Sequence, residues 1–377
     1  MLLERMQALL QRRKQQQAFR TFRNLDYLID FSSNDYLGLA RNPTLQAQVH
    51  EASQSLALGA TGSRLLSGHY DLLDQLELVL TEVHQAEAAL VFNSGYNANL
   101  GLLSAIARKG DLLLYDELVH ASIHDGMKLS KATTCAFGHN DMAALEELLQ
   151  KNPNKNILVL VEAIYSMDGD AAPLSEIAML CEQYQAHLVV DEAHSTGVFG
   201  AKGGGLCVQL GIADKVFARV HTFGKAMGSH GAAILGSQLL KDYLVNYARP
   251  FIYTTAISPH SVLTTLLSYQ YLAEQEAVLL PALQQKIERF KKSLTPQVST
   301  KVIESNSAIQ CLQVAGNSKV VAIAEQLQKL GFDVRPIRSP TVAAGAERLR
   351  ICLHHHNSTV EIETLGAELC RLLADLG

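Results

Sequence analysis

The sequence contains no run of roughly eighteen apolar residues, so it offers no membrane-spanning helix. No Cys-x-x-Cys pair occurs among its six cysteines, Cys135, Cys181, Cys207, Cys311, Cys352 and Cys370. That argues against a zinc ribbon or a thioredoxin-like site and fits a reduced, cytoplasmic protein. There is no basic domain: 32 basic residues face 37 acidic ones, a net charge of −5, which speaks against nucleic acid as a partner. The basic cluster at 12 to 14 sits in a helical segment and reads as a solvated face. Charges inside the N-terminal apolar stretch MLLERMQALLQRRK exclude a signal peptide. The strand-to-helix turns lack the GxGxxG dinucleotide pattern, and no Walker lysine motif is present, so nothing asks for NAD or ATP. No internal repeat or low-complexity tract is visible.

What remains is ample core material. The chain has 377 residues, 48% of them hydrophobic and 18% charged, enough for two or three domains. An amphipathic helix and a linker open it. From about residue 70, helical periodicity alternates with short apolar runs: AALVF, DLLLYDE, NILVLVEAIYS, HLVVDEAHS, KVFARVHTF and GAAILG. Continuous apolar strands alternating with helices indicate a mostly parallel sheet covered on both faces, an α/β fold. Beyond residue 260 a long helical stretch leads into a smaller mixed region with strands AIQCLQV and RLRICL. The expected division is 1–45 as N-terminal helix and linker, 46–260 as the large α/β domain, and 261–377 as a small α+β domain.

In such sheets, ligands bind at the carboxyl ends of strands. AALVF runs into Asn93-Ser94-Gly95-Tyr96-Asn97, a glycine turn opening a helix, which suits a phosphate. HLVVDEAHS carries Asp191 at its end and His194 shortly after; KVFARVHTF ends in Thr222, with Lys225 beyond. Separately these read as a common turn, a helix cap or ion pair, and a surface lysine. Together they match pyridoxal 5'-phosphate, which takes a lysine for its aldehyde, a carboxylate for its pyridine nitrogen and a helix N-terminus for its phosphate. A lysine desolvated in such a pocket becomes a usable nucleophile and base.

The blocks NDYLGLA, GATGSRLLSG, FNSGYNANLG, HASIHDG, EAIYSMDGDAAPL, VVDEAHSTGVFG, HTFGKAMGSHGAAILG, YTTAISP and IRSPTVAAGAERLRI follow one another in order from about residue 30. The chain thereby resembles the α-oxoamine synthase family of fold-type I pyridoxal-phosphate enzymes. The similarity is strongest to the branch that joins L-alanine to a pimeloyl thioester in biotin synthesis. The resemblance implies a large domain with a mostly parallel seven-stranded sheet and a smaller C-terminal domain. It also implies a homodimer with a shared active site, with an amino acid and an acyl-CoA or acyl-carrier protein as substrates.

It further implies residue roles. Lys225 would hold the cofactor and move the substrate's α-proton. Asp191 would pair with the pyridine nitrogen, His194 would bond the phenolic oxygen and His120 would stack on the ring. Gly95, Tyr96, Ser166 and Thr222 would complete the cofactor site, with Thr254 and Thr255 reaching the neighbouring subunit's phosphate. Asn34 and Arg350 would contact the amino-acid carboxylate, for which a guanidinium fork is suited. Arg20 and Thr341 would lie near the acyl chain. Ser195 and His230 depart from the usual family residues; neither removes a role given above, but either could reshape the acyl pocket. The rivals are sister enzymes such as glycine C-acetyltransferase, 5-aminolevulinate synthase or serine palmitoyltransferase, a doubly wound dehydrogenase, and a non-catalytic binding protein. The run His354-His355-His356 invites a metal reading, but it lacks carboxylate or cysteine company at ligand spacing. It is expected to form a surface loop, with no metal.

Overall fold

A computed structural model describes residues 1–16, 18–22, 24 and 27–374. The chain forms two compact units. The larger comprises residues 34–165 and 171–281; the smaller comprises residues 1–33, 166–170 and 282–377. This division departs from the one expected from the sequence. The helix Pro259–Ser293 runs unbroken past residue 261, and the unit boundary falls inside it at Pro281. The first 33 residues and the short segment 166–170 group with the C-terminal region, which no local pattern announces.

The larger unit is built on a seven-stranded sheet. Its strands are β1 (Ala88–Phe92), β2 (Leu112–Asp116), β3 (Thr133–Phe137), β4 (Ile157–Glu162), β5 (His187–Asp191), β6 (Ala218–Thr222) and β7 (Ala232–Gly236). The spatial order is β1-β7-β6-β5-β4-β2-β3. β7 runs antiparallel to both β1 and β6, and the other pairings are parallel. The apolar patterning in the sequence marks six of these strands. It misses β3, TTCAF, an edge strand whose side chains are mostly exposed and so carry no continuous apolar signal. By contrast every residue of β1 and β4 is buried, as a sheet covered on both faces requires. One core cluster gathers Leu90, Phe92, Leu113, Leu160 and Val220 of the strands with Leu102, Leu103 and Ile123 of the helices.

Register decides what meets at the active edge. Glu162 stands opposite Asp191 across β4 and β5, and Asp191 stands opposite Val220 across β5 and β6. The parallel strands therefore deliver Glu162, Asp191 and Thr222 to one side of the sheet.

The smaller unit holds an antiparallel sheet of β8 (Ile309–Gln313), β9 (Arg335–Ile337) and β10 (Arg348–Cys352), in the order β9-β10-β8. A separate two-residue pair joins Ile29–Asp30 to Phe332–Asp333 in parallel. The segment after β10 is not the surface loop expected of three histidines. His354 is fully buried there, and Asp30, more than three hundred residues away in sequence, lies beside it and His356. Among the described residues, no helix is long and apolar enough to cross a membrane.

Candidate active site

A cavity of about 250 Å³ opens in the larger unit where β1, β4, β5 and β6 end. At its first wall, Ser94 caps the helix α1 (Gly95–Ile106) by accepting a hydrogen bond from the Asn97 N–H at 3.3 Å. The opening turn of α1 presents backbone N–H groups and a positive dipole end toward an anion. Gly95 is dictated by space: a Cβ there would stand 2.5 Å from Thr222 Cγ2. Only glycine lets the helix start this close to the end of β6. Asn93 Nδ2 donates to the Thr255 carbonyl at 2.8 Å and to Thr254 Oγ1 at 3.4 Å, which holds both threonines next to this turn in the same chain.

The second wall is a buried hydrogen-bonded chain. Asp191 is 6% exposed, and its Oδ1 accepts from the Ala193 N–H at 2.9 Å. Its Oδ2 accepts from Asn99 Nδ2 at 2.7 Å; the same amide donates to Ser122 Oγ at 3.0 Å. Ser122 Oγ lies 2.7 Å from His120 Nδ1, and the Ser122 backbone N–H donates to that same nitrogen at 3.2 Å. A backbone N–H can only donate, so Nδ1 is an acceptor and the neutral ring carries its proton on Nε2. Burial pulls the His120 pKa below its ordinary value; the Asp191 charge opposes this and the Lys225 charge adds to it. Asn99 and Ser122 escaped the sequence reading. Their signal was an amide on the apolar face of α1, among buried Ala98 and Leu102, and a hydroxyl two residues after His120. Buried polar groups must find partners, and these find each other.

At the third wall, Lys225 Nζ lies 2.7 Å from His194 Nε2. His194 Nδ1 lies 2.7 Å from the Tyr36 hydroxyl, which donates to Asn34 Oδ1 at 3.1 Å. With the Tyr36 proton on Asn34, His194 donates from Nδ1 and its Nε2 accepts from Lys225. The loop after β6 turns on Gly228, at φ +62°, whose Cβ would press to 2.3 Å from Ala40 N.

The remaining expected residues divide. Tyr96 and His230 line the cavity, and the half-exposed Tyr96 donates to Asp125. That bond raises the Tyr96 pKa. Ser195 does not belong there: it is fully buried, with its hydroxyl on the Glu192 carboxylate, and it is not among the cavity's lining residues. The unusual serine thus serves a buried acid that also takes the Leu206 and Cys207 N–H groups. Glu162, which the sequence reading passed over, lines the cavity beside Asp191. Ser166 and Arg350 belong to the smaller unit, where Arg350 Nε donates to the Ser166 carbonyl at 2.7 Å. Arg350 is 8% exposed, and its neighbour Arg348 is tied to Asp168. Arg20 is exposed and lines a groove of about 330 Å³ with Arg335 and Arg338 in that unit; Thr341 is exposed, its N–H on the Arg338 carbonyl at 2.8 Å.

The donor set suits an anionic aromatic aldehyde. A helix N-terminus, a carboxylate fixed by two N–H donors, an imidazole and a primary amine surround one cavity.

Residues 26–363 match the family model described as aminotransferase class I and II. A putative 8-amino-7-oxononanoate synthase of Halalkalibacterium halodurans is 40% identical over 349 residues, covering 92% of this chain and 87% of the relative. The 8-amino-7-oxononanoate synthase of Emericella nidulans is 40% identical over 362 residues, covering 89% and 87%. Among solved structures, serine palmitoyltransferase of Sphingomonas wittichii superposes with a TM-score of 0.87 at 28% identity, covering 99% of this chain and 96% of that one. The 8-amino-7-oxononanoate synthase of Francisella tularensis superposes at 0.78 with 27% identity, covering 93% and 99%. A further match, at TM-score 0.87 and 28% identity over 93% of this chain and 88% of that one, is an SPT structure containing the PLP internal aldimine.

Proposed function

Because the chain belongs to the aminotransferase class I and II family, as a fold-type I acyltransferase-like enzyme that uses pyridoxal phosphate, we propose that it makes 8-amino-7-oxononanoate. The reaction joins L-alanine to pimeloyl-CoA or the pimeloyl carrier-protein thioester. The alanine Cα forms a bond to the thioester carbonyl carbon as the C–S bond breaks and the thiol leaves. The alanine carboxylate leaves as carbon dioxide, and a proton replaces it on Cα. The observation that carries this reading is the 40% identity to 8-amino-7-oxononanoate synthases across about nine-tenths of the chain.

Bound in the cavity, the cofactor supplies an electron sink for the pair left on Cα when a proton or the carboxylate departs. The chain supplies the rest. Lys225 Nζ takes the alanine Cα proton and returns one to the product carbon; His194, 2.7 Å away, holds that amine in place. Asp191 gives the pyridine nitrogen a negative partner, and two N–H donors keep its carboxylate from rotating away. His120, fixed in one tautomer through Ser122, would lie against the ring. The backbone N–H groups at Gly95 and Tyr96 and the Thr222 hydroxyl, which line the cavity, would hold the phosphate. Asn34, on the cavity wall, receives the amino-acid carboxylate. The enzyme works as a cytoplasmic homodimer.

One observation favours a second reading. Serine palmitoyltransferase superposes better than the solved 8-amino-7-oxononanoate synthase, although both identities are below 30%. L-Serine with a long-chain acyl-CoA is therefore the alternative pair. Thiol release decides: cofactor-loaded protein is assayed with L-alanine and pimeloyl-CoA, L-serine and palmitoyl-CoA, and glycine and acetyl-CoA. The first pair should be turned over fastest. Faster turnover of either other pair overturns the biotin assignment. Lys225→Ala should lose both the visible absorbance of the bound cofactor and all turnover.

A further inference from the structure

We infer that Asp30, His354 and His356 form a binding site for a divalent transition ion of the zinc type in the smaller unit. Their ligand atoms lie within 4.8 Å of one another. Two imidazoles and a carboxylate form a donor set that zinc accepts, with a position left for water or a hydroxyl. The site joins two segments far apart in sequence: the strand pair at Ile29–Asp30 and the turn after β10.

The surroundings fix the orientation of Asp30 and His354. Asn357 Nδ2 donates to the Asp30 carbonyl at 3.0 Å, which fixes the orientation of that amide. Its Oδ1 therefore faces His354, accepting from the backbone N–H at 2.9 Å and from Nδ1 at 3.1 Å. Nδ1 is then a ring donor. This is the usual outer arrangement of a metal-ligating histidine, whose second nitrogen donates to an oxygen that orients the ring. Nε2 faces two oxygens of Ser33, the hydroxyl and the carbonyl, both at 3.1 Å. The hydroxyl can donate to it; the carbonyl opposes a lone pair and calls for a cation on Nε2.

His356 stacks on His354 with ring centroids 4.7 Å apart and planes 14° from parallel. Asp30 Oδ1 accepts from the Ser32 and Ser33 N–H groups at 3.0 and 2.9 Å, so the carboxylate is positioned too. The exposed His356 leaves the site open on one side, while His354 closes the other. Lys286 donates to the His355 and Asn357 carbonyls. It pins the turn that carries the histidines.

The test uses untagged, cofactor-loaded protein stripped with a chelator. Zinc is titrated against a chromophoric competitor, and thermal unfolding is followed with and without zinc. One equivalent per chain should bind, and zinc should raise the melting temperature. His356→Ala, at an exposed position, and Asp30→Asn, which keeps Oδ1 as an acceptor, should each weaken binding at least about tenfold and abolish the thermal shift. His355→Ala should bind as the unaltered protein does. Binding below one equivalent, or equal binding by the His356→Ala and Asp30→Asn variants, overturns the assignment and leaves a proton as the cation at His354.

Discussion

Replacing Gly95 with alanine tests whether the start of α1 and the end of β6 together build the phosphate end of the site. The added Cβ would stand 2.5 Å from Thr222 Cγ2, about 0.9 Å inside ordinary contact distance. The helix cannot retreat as a body, because Ala98, Asn99 and Leu102 are packed at 0–2% exposure one and two turns later. The first turn must yield instead. Overpacking of this kind costs about 1–3 kcal/mol. A displacement near 0.9 Å would also carry N–H donors out of the roughly 2.7–3.2 Å range in which they bond a phosphate oxygen. Cofactor affinity should fall by about 5- to 150-fold. The assay is titration of pyridoxal phosphate into the apoprotein, followed by visible absorbance. Thr222→Ser removes only Cγ2 and keeps the hydroxyl, so the double variant Gly95→Ala/Thr222→Ser should recover most of the lost affinity. Unchanged affinity in Gly95→Ala, or a double variant as weak as the single one, would refute the steric account.

The remaining predictions concern the buried polar network. Asn99→Ala removes the amide that joins Asp191 to Ser122; a hydrogen bond to a charged group contributes about 1.5–3 kcal/mol. Turnover should drop at least about tenfold with the cofactor still bound, and turnover equal to that of the unaltered enzyme would show that Asp191 needs no such support. Burial pushes His84 down to about 3, while its Nδ1 bonds the Gly204 carbonyl and its Nε2 the Tyr269 hydroxyl. The folded state thus holds His84 neutral, whereas the unfolded state takes up a proton below about pH 6.5. Stability should fall as pH drops through that value and keep falling toward pH 3, by about 1.4 kcal/mol per pH unit from this residue. Urea midpoints between pH 7.5 and 4.5 should show a steeper loss for the unaltered protein than for His84→Gln; equal slopes would refute it.

The sequence was most legible where chemistry and chain order coincide. Lys225, Asp191, His194, His120 and Gly95 all follow strand ends or open helices, and all line one cavity. It was least legible for Asn99 and Ser122, which look like ordinary polar residues until folding buries them against Asp191. Ser195, in the sequence only a departure from the usual family residue that could reshape the acyl pocket, turns its side chain to buried Glu192 instead.

By itself, the sequence determined the alternation of helix and buried strand, and the residue types that a lysine-bound aromatic cofactor needs. Apolar periodicity is written locally, and so are strand-end residues. Only the tertiary structure decided which of those ends stand side by side, through registers such as Glu162 opposite Asp191. It alone grouped residues 1–33 with the C-terminal region and set Asp30 beside His354 and His356. The physical reason is the same in each case. Contacts between residues far apart in the chain depend on strand order and packing, and no local spacing records them.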